Sequence, residues 1–244
     1  MYLINKGVIK MAFKKPVQAG DKVKTTAPLL DAGVYNARIL SIVDLGIQPG
    51  SPQFPEEKLK LEFRFELCDE FMCDEAGELL KDKPRVFSYE VTYNEDGFMS
   101  EKSSIYKLIS AIPNGFEFDL DELIGKPVDV MIQKYVKKSG KNAGKEDNKI
   151  ASILTMKAKD AAQAPQLVNT PLFFDMSEPT LEVWNKLYSG NPYAQRDRIM
   201  ASKSFNGSKI QALLGMEATT VAKSEVAEYV DNQAEVDLDA DVPY

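Results

Sequence analysis

Residues 58–67 alternate without a fault: Leu59, Leu61, Phe63, Phe65 and Leu67 fall at one parity, and Lys58, Lys60, Glu62, Arg64 and Glu66 at the other. Period two marks a strand with one face in a core, so this stretch predicts a strand with a charged, outward row. Upstream, GVYNARILSIVDLG (33–46) is dense in β-branched and aromatic residues and runs into the turn formers of QPGSPQFPE, predicting a first strand and a loop. Downstream, the acidic stretch CDEFMCDEAGELLKDK is expected to be an excursion, after which RVFSYEVTY returns as a third strand with Phe87, Tyr89, Val91 and Tyr93 on one side. Helical spacing then takes over. Ile105, Leu108, Ile109 and Ile112 share a face, opened by the serines of 100–104 and stopped at Pro113. Two more strands, 128–137 and 149–156, flank the lysine-rich KKSGKNAGKEDN.

Three strands, a helix, then two strands is the order of the five-stranded Greek-key oligonucleotide-binding barrel, the OB-fold. The expected class is mainly β with helical additions. Residues 33–160 form the barrel. Residues 161–215 form a helical extension packed on it, with one short extended piece, a helix bearing Leu181, Trp184, Leu187 and Tyr188 on one face, and a second helix over 191–202. Such a length makes only a marginal core alone. Residues 1–32 read as a leader and a basic arm carrying Lys14, Lys15, Lys22 and Lys24, with structure starting near Gly33. Residues 216–244 read as a disordered acidic tail, because AEVDLDADVPY holds too little apolar surface to offset the entropy of ordering it.

Charge changes the picture only when it is located. The 244-residue chain has a formal charge of -7, which by itself argues against a nucleic-acid partner. From Glu217 to the end, however, eight acids stand against the single Lys223, so the rest of the chain is neutral. That is an interaction tail on a globular body. The two cysteines, Cys68 and Cys73, have no second pair and no histidine to complete a zinc site, and are expected to be reduced thiols. With no apolar run of about 18 residues, the expected location is the cytoplasm. Lys6-Gly7-Val8 can be encoded as a ribosome-binding sequence shortly before Met11, so Met11 is the expected start and 1–10 translated leader.

The chemistry-bearing residues point to binding rather than catalysis. The chain has no histidine, which excludes triads with a histidine base. GKNAGKE is similar to a phosphate loop but has three residues between its glycines where four are needed, and Glu146 where a hydroxyl should bind magnesium. Asp119, Asp121 and Glu122 could serve a metal-dependent nuclease or cap a short helix. The hairpin lysines Lys134, Lys137, Lys138, Lys141 and Lys145 surround Tyr135 in a connection that such barrels use to grip single strands; the bland reading is a solvated loop. Parity turns Tyr135 outward with Asp129, Met131 and Gln133, where an aromatic beside lysines can stack on a base. The same parity places Lys58, Lys60 and Arg64 on an outer face, available to phosphates. Tyr89, with Phe87 and Tyr93, is either a stacking platform or core. Trp184 reads as an anchor between helix and barrel.

AGVYNARILSIVDLG, SEKSSIYKLI, LIGKPVDV and WNKLYSGNPYAQRDRIMAS, in that order over about residues 32–205, resemble a family of bacteriophage single-stranded DNA-binding proteins. The resemblance implies an OB-fold with C-terminal helices, sequence-independent binding of single-stranded DNA in replication or recombination, and neither cofactor nor catalytic residues. The ending DADVPY is similar to the acidic, aromatic-ended tails of single-strand binders. It implies that Asp237, Asp239, Asp241, Val242, Pro243 and Tyr244 recruit a polymerase, helicase or primase. A structural or scaffolding protein of a virion is the alternative from a different class.

Overall fold

The computed structural model describes residues 25–50, 55–138 and 142–216. Five long strands form one curled antiparallel half-barrel: β1 (Gly33–Gln48), β2 (Lys58–Cys73), β3 (Leu79–Tyr93), β4 (Pro127–Val136) and β5 (Glu146–Leu154), in the order β3-β2-β1-β4-β5. Helix α1 (Ser104–Ser110) lies between β3 and β4 in the chain, and Ser103 caps it, its hydroxyl accepting from the Tyr106 N–H. Ile105, Leu108 and Ile109 of α1 enter the same apolar cluster as Phe63, Phe65 and Val130. No helix among the described residues is long and apolar enough to cross a membrane.

The acidic stretch is not an excursion. β2 continues to Cys73 and β3 begins at Leu79, so these residues form the far end of one long hairpin. Its turn is closed by Asp74, whose carboxylate accepts from the Ala76 and Glu78 N–H groups at 2.9 Å each. A register shift between Glu66 and Phe71 breaks the alternation there, which hides the strand from a period-two reading.

β1 explains its own near-continuous apolar run. A bulge at Leu40 switches its parity, so Ala37, Ile39 and Ile42 face the barrel core while Val43 and Leu45 face a second one. That second core belongs to the C-terminal extension, in which α2 (Ala158–Gln163), with no buried residue, precedes β6 (Leu172–Phe174), α3 (Leu181–Lys186), α4 (Gln195–Ala201) and α5 (Lys209–Leu213). β6 pairs parallel with β1 at Ser41–Val43, beyond the part of β1 that β4 occupies. Phe174, Trp184, Leu187, Ile199 and Ile210 then pack on Val43 and Leu45. The chain leaves helical geometry at Leu187 (ψ 148°), so Leu187 is buried but Tyr188, expected on the same face, swings out and is exposed. Leu181 is exposed too.

The N-terminal boundary also differs from expectation, since structure starts before Gly33. Thr26 pairs with Cys73, Arg85 of β3 donates to the Pro28 carbonyl, and Leu30 is buried in the barrel core. The Asn148 amide of β5 satisfies both backbone groups of Leu30, at 2.8 and 2.9 Å. A strap over 26–31 thus ties β3 to β5, which share no ladder in the sheet order. Lys14, Lys15, Lys22 and Lys24 lie outside the described residues.

Candidate nucleic-acid interface

The β4–β5 hairpin gathers most of the expected lysines. Its neck is held by Lys137 N–H to the Lys145 carbonyl (3.0 Å) and Gly144 N–H to the Lys137 carbonyl (2.8 Å), with Gly144 at φ +83°, a left-handed turn position that suits glycine. Lys138 and Lys145 are exposed, and the Lys145 ammonium reaches Asn142 at 3.3 Å. Lys134 pairs with Asp31 of the strap at 2.7 Å, and Lys137 with Asp147 at 2.5 Å. Each partner holds its lysine above the ordinary ammonium pKa. Both pairs lie at the surface, where an ion pair contributes about 0–1 kcal/mol, so a phosphate can replace the carboxylate at little cost. Lys141 lies outside the described residues.

Tyr135 sits half-buried on the outward parity of β4 with Met131 and Gln133. Lys149 of β5 holds its ammonium 5.4 Å from the ring centroid. Burial, and then the neighbouring Lys138, lower the Lys149 pKa, so an incoming phosphate gains from a cation that is short of counter-charge. Lys149 was not singled out from the sequence. Pairing the two strands would have found it, since Gln133 faces Lys149 in the register and Tyr135 faces Asp147.

The outer row of β2 is a correction. Lys58 is exposed at the strand's start, but the row beyond it lies under the C-terminal extension instead of facing solvent. Lys60 reaches Glu90 at 3.7 Å. The Arg64 guanidinium lies 4.4 Å from the Tyr188 ring centroid. Glu62 accepts from the Gln195 amide at 2.6 Å, and Glu66 accepts from Val168 N–H (2.6 Å), Asn169 N–H (2.9 Å) and the Asn169 amide (2.7 Å). Arg198 grips Glu90 with both terminal nitrogens, one bond measuring 2.9 Å. Burial pushes the Glu62 carboxyl up against the help of Gln195 and Arg64. For Glu90 burial acts the same way, but Arg198 and Lys60 outweigh it and hold its pKa down. The stretch WNKLYSGNPYAQRDRIMAS is therefore the clamp that docks the extension onto this row.

Tyr89 faces inward. It stands opposite Phe63 in the register and packs half-buried against the barrel core, as does Phe87 beneath Arg85. Near α1, the Glu122 carboxylate accepts from the Asp119 N–H at 2.9 Å, a local turn contact. Among the described residues no three cysteine or carboxylate side chains group as metal ligands. Asp237, Asp239, Asp241, Val242, Pro243 and Tyr244 lie outside the described residues. No protein-family model matches the chain, and a search of curated proteins found no match.

Proposed function

We propose that the chain binds single-stranded DNA without sequence preference, gripping phosphates with the hairpin lysines and stacking bases on Tyr135. The observation that carries this is one hairpin that bears Lys137, Lys138, Lys145 and Lys149 together with outward Tyr135, the Lys149 ammonium lying 5.4 Å from its ring centroid. The order β3-β2-β1-β4-β5 with a helix between β3 and β4 is compatible with an OB-fold, a fold whose loop between its fourth and fifth strands takes oligonucleotides, and this supports the reading. Every base has a π-face and every nucleotide a phosphate, so stacking and counterion release need no base identity. The acidic end through Tyr244 is proposed to recruit replication proteins; a truncation removing 231–244 that still captures them would refute that part.

A salt titration tests the function. Labelled single-stranded oligonucleotides should bind with a negative slope of log K on log salt, and duplex DNA more weakly. Replacing Lys137, Lys138 and Lys141 by alanine should flatten that slope by at most about 0.7 for each phosphate that no longer meets a lysine. Tyr135→Ala should cost about 1–3 kcal/mol and leave the slope unchanged. No salt-dependent binding by the full-length protein refutes the proposal.

A further inference from the structure

Loop 187–194, between α3 and α4, carries two exposed rings, Tyr188 at 59% and Tyr193 at 52%. Tyr188 is exposed yet held in place. Its N–H donates to the Gln195 side-chain oxygen at 3.2 Å, and its carbonyl accepts from the Arg196 N–H at 2.9 Å. Gln195 is itself buried and bonded to Glu62 of β2. The Arg64 guanidinium lies against the ring at 4.4 Å. Arg64 keeps a buried Nε–H with no partner among the described residues, so the guanidinium behind the ring carries a positive charge and a donor without an acceptor. A rigid aromatic backed by a guanidinium matches a nucleotide, whose base stacks and whose phosphate is anionic.

We propose that Tyr188, backed by Arg64, is a second base-stacking site for single-stranded DNA, formed on the outer row of β2 by the C-terminal extension. It rests on the function proposed above. The site is distinct from the hairpin, because Arg64 pairs with Ser41 midway along β1 whereas the Tyr135 end of β4 runs beyond Ile132, the partner of Gly33. At ~3.3 Å per residue the ladder between Gly33 and Ser41 runs roughly 26 Å, so one strand of several nucleotides is needed to touch both.

The test compares Tyr188→Phe with Tyr188→Leu in the full chain. Phenylalanine keeps the ring; leucine still covers Arg64 but stacks poorly. By fluorescence anisotropy with an oligo(dT) of about 16 nucleotides, Tyr188→Phe should bind like wild type and Tyr188→Leu on the order of tenfold more weakly, with an unchanged salt slope. Emission of Trp184, the single tryptophan, reports whether the extension stays docked. Equal affinity of all three proteins overturns the site. Should leucine undock the extension, photocrosslinking of wild type to an iodouracil oligonucleotide decides: an adduct on Tyr188 supports the site, and adducts confined to the hairpin overturn it. Wild-type protein that binds no oligonucleotide overturns the proposed function, and this site with it.

Discussion

The outer row of β2 and the outer row of β4 are written in one idiom, polar residues alternating with buried apolar ones, yet they end in different surroundings. Lys60, Glu62, Arg64 and Glu66 lie under the extension, which supplies Gln195, Tyr188 and Asn169, while Arg198 takes the neighbouring Glu90 of β3. On the other row Met131 is exposed, Gln133 and Tyr135 are half-buried, and Lys138 and Lys145 of the hairpin face solvent. A charged row can thus be either a solvated surface or half of a polar interface. What separates the two is a set of hydrogen-bonding and aromatic partners arriving from distant sequence, which makes burying such a row tolerable.

Breaking the buried side should cost the most. Glu90→Gln leaves the Arg198 guanidinium buried beside a neutral amide, and should destabilise by about 3 kcal/mol or more in urea unfolding. Lys138→Ala on the open side should stay within about 0.5 kcal/mol of wild type. Equal losses would erase the contrast between the rows.

The docking seam offers the next largest effect. Gly46 has φ +70°, and an added Cβ would stand 2.9 Å from both Met176 Sδ and Ser202 Oγ of the extension. Gly46→Ala should therefore cost about 2 kcal/mol and shift Trp184 emission as the extension loosens. Wild-type stability would mean that the extension does not depend on close approach there.

The smallest effect sharpens the comparison through pH. Glu62 binds its proton more tightly folded than unfolded because it is buried, so its contribution to stability falls as pH rises from the ordinary carboxylate range through its raised pKa. Glu90 has the opposite sign: its contribution is present above the ordinary range and is lost as pH falls. Glu62→Gln keeps an acceptor for Gln195 and removes only the first dependence, so the variant should gain relative to wild type toward neutral pH. Unfolding curves between about pH 4 and 7 check this, and an unchanged difference across that range would show that Glu62 is not burdened by burial.

Much of the fold was legible because its signals are local. Leu59 to Leu67, the α1 stripe ending at Pro113 and the order of the five strands follow from periodicity and turn residues alone. The hairpin lysines followed from their clustering in the connection between two strands, and outward Tyr135 from parity, which holds wherever no bulge intervenes. Parity failed at Leu40 and beyond Glu66, where one or more residues outside the ladder reset the face. The strap could not be read because 26–31 has no period; its order comes from Asn148 and Arg85, more than 50 residues away.

The sequence by itself determined the central segments of the five long strands, where the acidity is concentrated, and that a lysine-flanked aromatic stands on a hairpin, because propensity, alternation and composition act over a few residues. Only the tertiary structure decided that Lys60 and Arg64 are committed beneath the extension, that Tyr89 faces inward, and that Tyr188 is held at the surface against Arg64. Those outcomes depend on which distant groups meet. A lysine, arginine or tyrosine carries the same local signal whether water or a buried carboxylate is waiting for it, and only the packed chain chooses between them.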